Sequence, residues 1–273
     1  MRVTATHRLW ALLLLVTAVL ALGGTRANAQ VPITWDHYKL YVANPPLGPL
    51  GVQVLLTDQW GSYPHTVDHL EFWMNPVEKT VFNATGQTTY PINEPFLHYT
   101  WWRISPQPNN LLVAATNQFG DQTLNVHDAV YLLNPALKNQ SGSPPPRNHY
   151  KCYLCDGQPV NKQIVLHDQF DPPGSQGWNA TVTVPRWFCN PTVKQVQGSP
   201  LPPDPIVEPN QHYVCYEYTP ADYHISSLNF TDQFIANGTL NVSPNQWLCV
   251  PTFKNGFTPT TRGTWGKLKT LYR

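Results

Sequence analysis

The chain has 273 residues, of which only 12% are charged and 28 are proline. Its 17 basic and 16 acidic residues give no strongly basic face of the kind nucleic acid requires, so no nucleic-acid partner is expected. Sparse charge, abundant proline and a 12% aromatic share favour short strands joined by Pro-rich loops. Proline removes a helix hydrogen bond, and aromatic and β-branched side chains suit pleated surfaces.

Residues 1–29 read as a secretory signal peptide: Arg2 and Arg8 in a basic opening, an apolar run over 9–22, and Ala27-Asn28-Ala29 before Gln30. The run is shorter than the roughly 20 residues that span a bilayer, so cleavage is expected, with delivery to a secreted or periplasmic location. A chain starting at Gln30 keeps 14 of the 17 basic residues against 16 acidic ones, a net charge of −2. No second long apolar run follows, so no membrane contact is expected after cleavage.

From His37 onward the chain repeats itself. Copy one opens His37-Tyr38-Lys39-Leu40-Tyr41, continues to the triplet Asp58-Gln59-Trp60, and reaches Met74-Asn75-Pro76-Val77-Glu78-Lys79. Copy two shows His98-Tyr99-Thr100-Trp101-Trp102, Asn117-Gln118-Phe119 and Leu133-Asn134-Pro135-Ala136-Leu137-Lys138. Copy three has His149-Tyr150-Lys151-Cys152-Tyr153, Asp168-Gln169-Phe170 and Cys189-Asn190-Pro191-Thr192-Val193-Lys194. Copy four has His212-Tyr213-Val214-Cys215-Tyr216, Asp232-Gln233-Phe234 and Cys249-Val250-Pro251-Thr252-Phe253-Lys254. The steps from His to triplet are 21, 19, 19 and 20 residues, too steady for chance.

Each triplet closes a stretch of two-residue period. Val54, Leu56, Asp58 and Trp60 share one face, and Ile164, Leu166, Asp168 and Phe170 repeat it. This is the signature of a strand with one packed side. The predicted fold is all-β, four degenerate short-strand repeats packed pairwise as β-sandwiches or barrels. The acid of the triplet falls on the packed face. Asn replaces Asp at position 117, which points to hydrogen bonding of the turning backbone rather than to catalysis.

The cysteines test the alignment. Copies three and four carry one in the first signpost and one in the third, where copies one and two carry Leu40 with Met74 and Trp101 with Leu133. Two positions that are both Cys or both apolar predict disulfides Cys152–Cys189 and Cys215–Cys249, in keeping with an oxidising destination. Cys155 is then a free thiol, either buried or bridging to a second chain as a dimer. Zinc at His149, Cys152 and Cys155 is disfavoured, because a single C-x-x-C lacks a second pair; no metal or cofactor is expected.

Composition divides the chain into a module pair at 30–139, a Pro/Ser/Gly linker at 140–148, a disulfide-bonded pair at 149–257 and a basic tail at 258–273. No G-x-S-x-G, H-E-x-x-H or phosphate-binding loop occurs. His37, His98, His149 and His212 read as strand-opening hydrogen bonders. Trp101, Trp102 and Trp178 are the candidate ligand-binding aromatics, since exposed rings on a β-surface stack on sugars. Asp36, Asp58, His65, Asp68, His69 and Glu71 cluster in the divergent first copy and are the seed of an alternative, an exported hydrolase.

The H-Y-x-C-Y, D-Q-F and C-x-P-x-x-K signposts of copies three and four resemble those of a family of exported bacterial repeat proteins of unestablished function. Copies one and two match more loosely. The resemblance implies export and a β-fold and supplies no catalytic residue. The expected role is a secreted, non-catalytic binding or surface-structural protein that meets a polysaccharide or protein partner.

Overall fold

The computed structural model describes residues 34–84, 86–222 and 226–258. The signal-peptide reading of 1–29 and the basic tail beyond residue 258 lie outside the described residues. Copy one forms β1 (His37–Leu47), β2 (Val52–Asp58) and β3 (Gly61–Asn83), followed by an extra strand, β4 (Gly86–Tyr90). Copy two forms β5 (His98–Gln107), β6 (Leu111–Asn117) and β7 (Gly120–Lys138). Copy three forms β8 (His149–Asp156), β9 (Lys162–Asp168) and β10 (Trp178–Val196), and copy four β11 (His212–Asp222), β12 (Ser226–Thr231) and β13 (Gly238–Thr258). The described residues are all-β, as the alternation predicts.

The opening strand of each copy pairs with the long strand of its own copy and with the long strand of the copy before it. β3 thus pairs β5, β7 pairs β8, and β10 pairs β11. The series closes because β1 pairs β13 as well as β3, all antiparallel. Eight strands, two from each copy, make a closed ring. The expected division into two pairs hinged at 140–148 is corrected here. The strands of copies two and three hydrogen-bond across that junction just as the others do, and the described residues fall in one compact unit.

The ring is filled, as an eight-stranded barrel should be. Tyr38, Tyr99, Tyr150 and Tyr213 form one layer, each edge-on to the next at 5.2–5.8 Å between ring centroids. Below it lie Leu40 against Met74, Trp101 against Leu133, and the two disulfides Cys152–Cys189 and Cys215–Cys249. Phe72, Tyr131, Trp187 and Trp247 make a third layer. Disulfides and apolar pairs therefore occupy one layer of one core.

The hairpin strands β2, β6, β9 and β12 lie outside the ring. Each pairs with the start of its own long strand and with the far end of the long strand two copies away. β2 reaches β10, β9 reaches β3, β6 reaches β13 and β12 reaches β7. The signpost prolines mark the switch. Pro76, Pro135, Pro191 and Pro251 each sit opposite the Tyr of the ring layer, and the strand beyond them runs out to meet a hairpin strand. Proline has no N–H for the ladder and suits such a change of partner. The third signpost thus lies within the long strand, which runs on past it in copies one, three and four and ends with it in copy two.

In copies one and two the triplet leads into a tight turn at Gly61 and Gly120, with φ of 135° and 109°. Copies three and four put Asp171 and Ile235 there and need longer loops.

The shared layer makes a prediction. Cys215→Leu with Cys249→Met, the pair used by copy one, should lose about 3 kcal/mol with the cross-link. Cys215→Ser with Cys249→Ser should lose a further 1–3 kcal/mol or so by burying hydroxyls without partners. Urea midpoints measure both, and equal losses would contradict the packing.

Candidate binding cleft

The polar residues of the repeat hold copies to one another. In each triplet the first residue caps its own turn: the Trp60, Phe119, Phe170 and Phe234 N–H groups donate to Oδ1 of Asp58, Asn117, Asp168 and Asp232 at 2.8–2.9 Å. This is the role expected from the Asn at 117. The second polar atom reaches two copies on. Tyr153 Oη donates to Asp58 Oδ2 at 2.6 Å and Tyr41 Oη to Asp168 Oδ2 at 2.8 Å. Trp102 Nε1 donates to Asp232 Oδ2 at 2.8 Å, and Asn117 Nδ2 donates to Tyr216 Oη at 2.8 Å.

Charge follows the same diagonal. Lys39 Nζ lies 3.3 Å from Asp168 and also contacts Asp222, and Lys151 Nζ lies 3.5 Å from Asp58, with all of these side chains buried. Where copy four has Val214 in place of the lysine, the facing triplet residue is Asn117.

The signpost lysines take a third relation. Lys79 sits over Phe119, Lys138 over Phe170, Lys194 over Phe234 and Lys254 over Trp60, at 4.2–5.6 Å. Each copy's lysine covers the ring of the next, and the fourth returns to the first. Such a contact is attractive within about 6 Å. Burial opposes the charge, holding Lys138 and Lys254 down to about 8 and Lys194 to about 7.

These contacts decide where the expected site residues lie. Trp101 and Trp102 are fully buried, Trp101 in the ring core and Trp102 on the outer face, so neither presents a ring to a ligand. Trp178 is half-buried, and its Nε1 donates to the Pro220 carbonyl at 3.0 Å. Trp101 is enclosed by the ring and Trp102 is packed in the outer core, while Trp178 keeps part of its surface open.

Cys155 is free but buried, and burial pushes its thiol well up, so it is not presented for a bridge to a second chain. Cys152 is in a disulfide and unavailable to zinc. The first-copy cluster is spread over several partners, although His65 and Asp58 lie close enough to interact. Asp36 accepts from the backbone of Asn93 and Glu94, His65 contacts the Ser105 carbonyl, Glu71 accepts from Tyr131, and Asp68 pairs with His69 at the surface.

The concavity that stands out lies elsewhere, where the fourfold pattern breaks. Two Pro-rich loops, 142–147 and 201–207, face each other across a cleft of about 510 Å³, with His149, Asp232 and Gln233 among the residues at its floor. Both loops are pinned. Asn148 Oδ1 accepts from the Val207 and Glu208 N–H groups at 2.8 and 2.9 Å, and Arg147 pairs with Glu94. Asp204 forms a backbone bridge to Lys194. Leu201 and Val207 line the cleft while 67% and 45% exposed. Half of the lining is proline or aliphatic, the rest is mostly polar or charged, and no Trp, Tyr or Phe is in it. The sequence reads the first of these loops as a linker, at 140–148; the matching proline content of the second was the signal available.

A family model described as "Repeat of unknown function (DUF7450)" matches residues 96–251. The chain belongs to this repeat family. The match takes in copies two, three and most of four, and copy one extends the same strand pattern around the ring. No curated protein and no solved structure matches the chain. Family membership brings no activity with it.

The buried histidines set a pH dependence. Burial holds His98 down to about 3, and His149 and His212 down to about 4. Unfolded histidine titrates near 6.5, so the unfolded chain binds more protons between about 4 and 6.5 and stability rises with pH there. Stability should be full above about 6.5 and fall steeply as pH drops through 4. Thermal midpoints from pH 3.5 to 7.5 measure this; a flat profile would contradict the neutral, buried rings.

Proposed function

We propose that the chain is an exported, non-catalytic scaffold that binds a protein segment in the cleft between its two Pro-rich loops. The observation that carries this reading is the cleft's composition: exposed Leu201 and Val207 against proline walls held rigid by Asn148 and Arg147. Prolines and aliphatic side chains interleaved with polar and charged groups suit recognition of a segment's side chains. A polysaccharide partner is less well served, because sugars stack on exposed rings and Trp101 and Trp102 are buried. The separate partners of Asp36, Asp68 and Glu71 weigh against a hydrolase reading. Two disulfides are compatible with an extracellular or periplasmic location.

A displayed library of extended peptides, panned on the full chain and on Leu201→Glu with Val207→Glu, tests the reading. Enriched peptides should bind the variant at least about tenfold more weakly, since burying an introduced charge in an apolar site is costly. Equal binding by the variant, or enrichment on a glycan array instead, would overturn it.

A further inference from the structure

At the base of the same cleft the repeat's polar pattern is broken in a chemically specific way. The third signpost carries a buried Asn in copies one to three. In two of them its amide oxygen is held by the triplet glutamine two copies away: Gln169 donates to Asn75, and Gln59 Nε2 donates to Asn190 Oδ1 at 2.6 Å. Copy four has Val250 at this place. At Asn134 the glutamine has turned away. Gln233 contacts Lys194 and donates to Asp204 Oδ2 at 3.1 Å. Lys194 Nζ takes its place, donating to Asn134 Oδ1 at 2.8 Å. His149 Nδ1 lies 3.0 Å from the same oxygen, and Asn134 Nδ2 is buried with no hydrogen-bond partner among the described residues.

From this geometry we propose that Lys194 and Asn134 form an intramolecular isopeptide bond, a covalent cross-link between β10 of copy three and β7 of copy two. The parts are those that amide exchange requires. The nucleophile is an amine whose side chain is fully buried beside its target, and burial favours the neutral, reactive form. The electrophile is a carboxamide whose oxygen already accepts from Lys194 Nζ at 2.8 Å and lies 3.0 Å from His149 Nδ1. Asp204 lies 3.6 Å from Nζ and 3.4 Å from His149 Nε2, and is the carboxylate placed to move a proton.

The step balances without a co-reactant. Nζ attacks Cγ, and the carbonyl electron pair moves to Oδ1. Asp204 takes a proton from Nζ and returns it to Nδ2; the Cγ–Nδ2 bond breaks and ammonia leaves. Amine and carboxamide become one secondary amide and one ammonia. The other signposts do not assemble this set, because glutamine occupies the amide oxygen of Asn75 and Asn190 and position 250 has no amide.

The test is the intact mass of the full chain, purified, reduced and denatured, followed by a tryptic map. The chain should be lighter than its sequence by one ammonia, about 17 Da. The map should show the peptide of Asn134 joined to one uncleaved at Lys194. Lys194→Arg, which keeps the charge but not the amine, should restore the sequence mass, and Asn134→Asp should lose water in place of ammonia. An unmodified mass with cleavage after Lys194, or a loss mapped to any other residue, would overturn the proposal. Both results are read on the wild-type chain and do not depend on whether a variant folds.

Discussion

Hydrogen bonding between β1 and β13 is the contact on which the rest of the protein rests. A single copy offers an opening strand with one free edge, a hairpin strand whose outer edge needs a partner, and a long strand whose far end needs another. Unpaired backbone groups are costly wherever water is excluded. Within this chain each copy can satisfy them only from its neighbours and from the copy two places on. Four copies in a closed circuit leave each opening strand with both edges paired. The Tyr38–Tyr99–Tyr150–Tyr213 layer and the aromatic layer beneath the disulfides are consequences of that closure, since each draws one residue from every copy.

Closure also explains why so many polar groups can be buried. The triplet acid, the opening-strand lysine and the signpost lysine would each be a liability in an isolated module, because a buried charge without a partner is strongly destabilising. In the ring each finds its counterpart in another copy, and residues on the two sides match. Asp58 and Asp168 face lysines, while Asn117 faces a copy that has Val214 instead. The cleft arises where the Pro-rich loops between copies two and three and between copies three and four lean together, so Asn134, His149, Lys194 and Gln233 are freed from the general pattern.

Much of this was legible in sequence because it is local. Two-residue alternation gives the faces of β2, β6, β9 and β12, an Asn among three Asp gives the turn-capping role, and paired Cys or paired apolar residues give the disulfides. What was not legible is which copy meets which, since periodicity assigns faces and says nothing of partners. Trp101 and Trp102 show the consequence. Neighbours in a strand point to opposite sides, and alternation alone does not say that both sides are covered. Both are buried because the ring has a filled interior and a covered exterior. Loops of proline and serine read as linkers for a similar reason: composition predicts irregular backbone, but not that Asn148 and Arg147 pin it into a wall.

Equilibrium unfolding of a fragment limited to residues 30–139, copies one and two alone, tests the closure most directly. The ring account expects no cooperative transition and no native-like near-ultraviolet circular dichroism, because β1 has lost β13, β2 has lost β10 and β9 is absent from β3. A fragment that unfolds cooperatively, with a stability of several kcal/mol as an ordinary domain has, would contradict it. That result would return the molecule to two independent pairs of modules.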